Sequence, residues 1–453
     1  PNRLLWSNWK KFMGEQTGPG DSTDYTVPQL SIAGGAGVGT LYDYLGVPPL
    51  GVALNVSAFP TRAYNLIWNE WYRSEQLQDS VVVDTDDGPD ARADYVLLKR
   101  NKRFDYFTSC LPTPQRGDEV DLPLGTSAPV VGTGLALGLC QGGNSFGAYT
   151  DAAVNRIYAG TGASGQAWNY TGAMGTPANL GTAIGVTNVA ATSGLEADLT
   201  NATAATINSL REAFQLQRML ERDARSGTRY QEVLKAHFMV DSPDARQQRP
   251  EYLGGGSRPI NIQAVPQTSE AGTTPQGTLA AVGYGQSSGI SFTKSFTEHC
   301  TLLCLVSARA DLTYQQGIDR MWSRSTKYDY YWPALAHLGE QEVLSKEIWV
   351  NAIGGNNDLV FGYNERWSEY RHAQSKISGI LRSDAASSLD VWHLSQDFAN
   401  RPSLNSDFIE EEVPISRVVA VPSEPEFIGD FHFSCRAVRP MPTFSVPGLI
   451  DHF

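Results

Sequence analysis

GTSAPVVGTGLALGLCQGGNSFGAY, residues 125–149, and GTGASGQAWNYTGAMGTPANLGTAIGVTNVAATSG, residues 160–194, set this chain apart from an ordinary enzyme. Between Gly125 and Leu195 only Asp151 and Arg156 carry a charge. The blocks on either side are dense in Arg, Asp, Glu, Trp and Tyr. Charge keeps a soluble surface from associating, so a long stretch without it either packs against something or presents a weakly polar face. Gly, Ala, Thr and Asn dominate the stretch, and it reads as an insertion into a different kind of protein. The expected organisation is therefore 1–124, an inserted 125–196, and 197–453.

Working outward, the flanks show a few short strands, at most three helices, and long Pro- and Gly-rich connections. Tyr64, Ile67, Trp68, Trp71 and Tyr72 recur at helical spacing after Pro60, which predicts a helix over 61–78. A second apolar stripe at Ile207, Leu210, Phe214, Met219 and Leu220 ends at Gly227, a suitable C-terminal stop. Strands are expected at 80–84, 94–98, 300–308, 344–352, 358–362, 415–421 and 431–438. So many structureless loops are uncommon in a compact enzyme and suit a subunit whose loops are ordered by neighbours. The opening PNRLLW reads as the end of a strand entering a loop, so residues preceding Pro1 are expected.

The 453 residues include 18% charged and 10% aromatic side chains, with a net charge of -13. Many aromatics with little charge weigh against disorder and point to surface buried between subunits. The acidic balance weighs against a conventional nucleic-acid binder, without excluding a local basic patch. Cys110, Cys140, Cys300, Cys304 and Cys435 are odd in number and scattered, so they read as reduced thiols, with Cys300 and Cys304 buried on the Leu302 face of a core strand. The longest uncharged run is too interrupted to span a bilayer, so no membrane insertion is expected.

No catalytic set emerges. Asp84 to Asp90 lacks the ligand spacing of a calcium loop and reads as a solvated acidic turn. Gly35-Ala36-Gly37-Val38-Gly39 lacks the Lys-Ser or Lys-Thr of a phosphate loop, His299, Cys300 and Cys304 lack a fourth metal ligand, and the seven histidines form no HExxH pattern. No cofactor is expected. Lys99, Arg100, Lys102 and Arg103 are different: four cations in five positions abut Phe104, Tyr106 and Phe107. That combination can hold phosphates and stack unpaired bases; the competing reading is a charged strand end whose rings enter the core.

Several long stretches, in order along the chain, resemble the major capsid proteins of the gokushoviruses, small single-stranded DNA phages of the Microviridae. They are PNRLLWSNWKKFMGEQ (1–16), FPTRAYNLIWNEWYRSEQLQDS (59–80), KRNKRFDYFTSCLPTPQRGD (99–118), LERDARSGTRYQEVLKAHF (220–238), SPDARQQRPEYLGGGSRPINI (242–262), SFTEHCTLLCLVSARADLTYQQGIDRMWSR (295–324), YYWPALAHLGEQEVL (330–344), SLDVWHLSQDF (388–398) and RPMPTFSVPGLIDHF (439–453). The resemblance implies a mainly β fold, a viral jelly roll of eight antiparallel strands with large loop insertions and a few helices. Relative to that family the sequence as it stands does not include an N-terminal segment that supplies early strands, so the expectation is either an incomplete sheet from 1–453 or such a segment ahead of Pro1.

The resemblance further implies a T=1 icosahedral shell with fivefold, threefold and twofold contacts between copies, located in the virion and assembled in the bacterial cytoplasm. Implied partners are packaged single-stranded DNA, a small basic DNA-binding protein, internal scaffolding and pilot or minor capsid proteins, and a host surface receptor. The 125–196 insertion corresponds to a protrusion on each threefold axis that engages the host. Phe146, Tyr149, Trp168 and Tyr170 are its candidate trimer or receptor residues, and Lys99, Arg100, Lys102 and Arg103 the candidate DNA contacts. The alternative carried alongside is a β-sandwich carbohydrate-binding, lectin-like module.

Overall fold

The computed structural model describes residues 1–453 except 16–17, 23, 50, 119, 121–129, 133–138, 142–143, 147–157, 160–165, 168–183, 187–194, 198–206, 243–248, 271, 274, 351–354 and 440–453. Along the chain come β1 (Gln29–Ile32), β2 (Leu54–Ser57) and helix α1 (Phe59–Trp71). Seven short strands follow: β3 (Val130–Gly132), β4 (Leu139–Gln141), β5 (Asn144–Phe146), β6 (Tyr158–Ala159), β7 (Gln166–Ala167), β8 (Ile184–Val186) and β9 (Leu195–Ala197). Helices α2 (Ile207–Ser226) and α3 (Tyr230–Phe238) precede β10 (Asn261–Pro266), β11 (Leu279–Tyr284), β12 (Glu340–Leu344) and β13 (Val360–Glu365). The chain divides into two compact units, residues 1–114 with 227–453, and residues 115–226.

The strands form short antiparallel ladders: β1–β2, β10–β11 and β12–β13 in the first unit, and β3–β9, β5–β4–β8 and β6–β7 in the second. Among the described residues there is no closed barrel. The extended runs expected at 80–84 and 94–98 join no named ladder, and α1 shows why. Asn69 Oδ1 accepts from Val81 N at 3.0 Å, and Asn65 Nδ2 donates to the carbonyls of Val82 and Asp94 at 2.8 and 2.9 Å. Tyr64 Oη accepts from Leu98 N at 3.0 Å, and Trp68 Nε1 donates to the Lys99 carbonyl at 2.9 Å. Side chains of one helix thus satisfy backbone groups that a neighbouring strand would otherwise take.

Helix α1 starts at Phe59 with Pro60 in its first turn and ends at Trp71, short of the expected Gln78. The following residues close a separate turn instead: Gln78 Oε1 accepts from Ser74 N at 2.9 Å, and Arg73 donates to the Gln78 carbonyl at 3.0 Å. The strand expected at 344–352 is also displaced. β12 finishes at Leu344, Ser345–Ile348 forms a single helical turn, and 415–417 is a 3-10 turn rather than a strand.

Three apolar clusters hold the first unit. One joins Leu30 and Ile32 of β1 to Leu41, Tyr42, Tyr64 and Tyr95. Another joins Tyr106, Phe107 and Cys110 to Val343, Ile348, Phe361 and Phe408. A third packs Leu5, Trp6 and Trp9 on Phe59 and Ala63 of α1. Between the first and third lies a buried ion pair. Arg62 uses all five N–H groups: Nε to Asp90 Oδ2 at 2.8 Å, Nη2 to Asp90 Oδ1 at 2.5 Å and Asp86 Oδ1 at 3.2 Å, and Nη1 to the carbonyls of Leu5 and Asp86 at 2.9 Å each. Tyr95 Oη donates to Asp90 at 2.5 Å. Burial first, and then that bond to an anion, raise the Tyr95 phenol well above its ordinary range.

The acidic turn at 84–90 is therefore only partly solvated. Asp90 is buried against Arg62, and Asp87 accepts from Trp6 Nε1 at 2.7 Å and Asn8 Nδ2 at 2.9 Å. The thiols also correct the expectation. Cys110 is buried, but Cys300 is half-buried and Cys304 and Cys435 are exposed. In the 300–308 run Leu303 turns inward onto two clusters, so the alternation carries Leu302 and Cys304 outward.

Candidate assembly surfaces

Several segments of the first unit present apolar side chains to solvent, one of them on backbone that is held at both ends. All twelve residues of the β10–β11 hairpin are exposed, on both faces. A two-stranded hairpin with no covered face is marginal in water. The 300–308 run exposes Leu302, Leu305 and Val306, yet its flanks are fastened. Arg3 Nε donates to both oxygens of Glu298 at 3.2 and 3.0 Å, Asn2 N donates to the His299 carbonyl, and Thr301 Oγ1 donates to Asn2. At the other end Arg309 binds Glu411 at 3.0 Å and the Asn101 carbonyl at 3.1 Å. Phe427, Ile428, Phe431, Phe433 and Val438 form a further exposed apolar run.

The predicted basic cluster resolves into four different environments. Lys99 lies 4.0 Å from Glu410 and 3.7 Å from Glu412. Arg100 sits over the Tyr72 ring at 5.4 Å and donates to Ser307 Oγ. Arg103 lies 3.9 Å from Asp311. Lys102 is buried: its Nζ donates to the Phe408 carbonyl at 2.5 Å and lies 4.3 Å from the centre of the Phe408 ring. Burial lowers its ammonium to about 8. Lys102 is thus withdrawn from any external phosphate. Of the three adjoining aromatics only Phe104 is exposed, since Phe107 is in the core and Tyr106 donates to Glu347 at 2.8 Å.

The family profile described as "Capsid protein (F protein)" matches residues 1–449. Capsid protein VP1 of Bdellovibrio phage phiMH2K is 46% identical over 474 residues, spanning 100% of this chain and 84% of that protein. Capsid protein VP1 of Chlamydia phage 1 is 42% identical, over 99% of this chain and 85% of the relative. Capsid protein VP1 of Spiroplasma virus 4 is 35% identical, over 99% and 84%.

The chain belongs to this phage capsid-protein family. It is a gokushovirus-type major capsid protein, and its role is structural rather than enzymatic. Among the described residues no group of three or more His, Cys, Asp or Glu is placed to hold a metal ion, and no helix is long and apolar enough to cross a membrane.

Of the candidate protrusion residues, Phe146 is the last residue of β5, opposite Leu139 of β4. Tyr149, Trp168 and Tyr170 lie outside the described residues. Sequence reasoning missed a second buried polar network in this capsid subunit. Arg320 binds Glu347 at 2.9 Å and the Glu342 carbonyl at 2.6 Å, while Arg324 lies 3.5 Å from Glu369. Burial pushes the Glu347 carboxyl up, opposed chiefly by Arg320. The usable signal was the pair of arginines in IDRMWSR set among aromatics, where a buried guanidinium calls for an acidic partner.

Proposed function

We propose that this chain is the coat subunit of a closed T=1 icosahedral shell, a virion component that encloses a single-stranded DNA genome. The reading is carried by one observation: capsid-family identity runs the full length of a subunit that fastens segments such as 300–308 while leaving their apolar faces open. Each face buried against a neighbour contributes at roughly 25 cal/mol per Å² of apolar area, and symmetry repeats modest contacts around a closed shell. A jelly-roll body accounts for the short antiparallel ladders and the unpaired extended runs.

In this reading 1–124 and 197–453 build the shell and 125–196 builds a threefold protrusion that meets the host receptor, with Phe146, Tyr149, Trp168 and Tyr170 in its trimer or receptor contacts. Three copies of a segment with so little charge can approach one axis without like-charge repulsion. A net charge of -13 cannot neutralise a packaged polyanion, so a small basic protein accompanies the genome. Lys99, Arg100 and Arg103 supplement it at the inner surface. Scaffolding and pilot or minor capsid proteins complete assembly in the bacterial cytoplasm. Electron microscopy of purified material with a nuclease-protection assay tests the whole: closed particles holding nuclease-resistant DNA are expected, and small oligomers without shells would refute it.

A further inference from the structure

The segment from Met321 to Leu338 carries five aromatics, Trp322, Tyr328, Tyr330, Tyr331 and Trp332, each at least half exposed, with Trp322 at 73%. Exposed rings on a slack loop would mean little. These rings are held. Asp319 accepts from Met321 N at 2.9 Å and opens a 3-10 turn. Asp329 accepts from the backbone of Ser325 at 3.0 Å and Thr326 at 2.7 Å, and Trp332 Nε1 donates to the Lys327 carbonyl at 2.7 Å. Tyr331 stands edge-on to the buried Trp367, 5.8 Å between centres. The base of the segment is fixed by Arg320 on buried Glu347 and Arg324 on Glu369.

Most of the charge around these rings is already paired. Arg320 and Arg324 hold carboxylates, Lys376 lies 3.6 Å from Asp319, and Arg371 lies 2.6 Å from Glu365. A single-strand platform interleaves rings with several available cations, whereas here Lys327, exposed and 5.0 Å from the Tyr328 ring centre, is one cation among five rings. A protein interface centre is depleted of free charge and rich in Trp and Tyr. The five rings offer roughly 600 Å², taking 150–250 Å² for each full aromatic side chain, against the ~800 Å² each partner gives to a standard interface. Rings fixed before contact also lose less conformational freedom on association.

We infer that the 321–338 aromatic segment is a preformed contact surface whose occupant is a second copy of this chain. The inference rests on the shell reading and adds the place where copies meet. Purified particles and subunits released from them are labelled with hydroxyl radicals. Labelling of Trp322 and Tyr328 falls at least fivefold in particles, in empty and DNA-filled shells alike. Equal labelling in particles and subunits overturns the inference, as does protection confined to filled shells, which would make DNA the occupant. In parallel, Trp322→Glu lowers particle yield more than tenfold while the circular dichroism and melting of the unassembled chain stay unchanged; normal yield overturns the inference. If that variant misfolds, the labelling of the unaltered protein decides. Absence of closed particles from the unaltered chain would instead strike the shell reading.

Discussion

Arg62→Met isolates the interaction on which the N-terminal part of the subunit turns. The Arg62 and Asp90 side chains are fully buried, whereas Asp86 is 76% exposed. Removing the guanidinium leaves the Asp90 carboxylate in the interior with only Tyr95 as donor, and strands the carbonyls of Leu5 and Asp86. Breaking one side of a buried pair costs about 3–5 kcal/mol, so a loss of that order is expected. Asp86→Ala removes an exposed acceptor and costs about 1 kcal/mol or less. The double variant Arg62→Met/Asp90→Leu takes away both charges, and its cost falls at least ~1 kcal/mol short of the sum of the single changes. Urea titration of the unassembled chain, followed by tryptophan fluorescence, reads the parent, Arg62→Met, Asp90→Leu, their double variant and Asp86→Ala. A loss under ~1 kcal/mol for Arg62→Met, or an additive double variant, would refute the reasoning.

Lys102 carries a pH signature. Its folded-state value of about 8 lies below the ordinary 10.5, so between these pH values the unfolded chain binds more protons and stability rises with pH, by about 3 kcal/mol in the limit. The gain is lost as pH falls back through 8, and Lys102→Met abolishes that part of the dependence in paired urea titrations. Gly317→Ala would drive its Cβ into the Glu347 carbonyl and the Ile348 backbone, costing about 3 kcal/mol in the same titrations. Changing Lys99, Arg100 and Arg103 together to Gln, with Lys102 kept for folding, lowers the DNA in purified particles; unchanged content removes the DNA-contact proposal. Deleting 126–194 spares shell assembly and impairs attachment to host cells; loss of particles in micrographs would make the insertion structural.

The sequence disclosed most where a local pattern meets its own neighbours. The Tyr64–Trp68 spacing located α1, and the Ile207–Leu220 stripe located α2, which runs Ile207–Ser226. Strands were less legible, because an apolar run such as CTLLCLVSA at 300–308 declares extended backbone without declaring a partner. In this chain the run's flanks are fastened to Arg3, Asn2 and Glu411 from distant positions, and no local rule anticipates those contacts. The same holds for Lys102, whose burial depends on Phe408, more than 300 residues away. Charge density alone made it look like its neighbours Lys99 and Arg103.

The contrast between Arg62 and the aromatic segment bears on how such a subunit assembles. A chain that left its loops loose would lose conformational freedom at every contact, about 1–2 kcal/mol per residue fixed. Here Arg62–Asp90, Arg320–Glu347 and the side chains of α1 fix the framework within one copy, using polar groups that need no neighbour. The apolar face at 300–308 stays open on a fastened run, so association there has to bury surface but has little left to order. Contacts that are individually modest let a misplaced copy leave before the shell closes. A single very strong contact would trap it. The sequence divides the two tasks accordingly: buried charge and hydrogen bonds hold the fold, and exposed rings and aliphatics are kept for the neighbour.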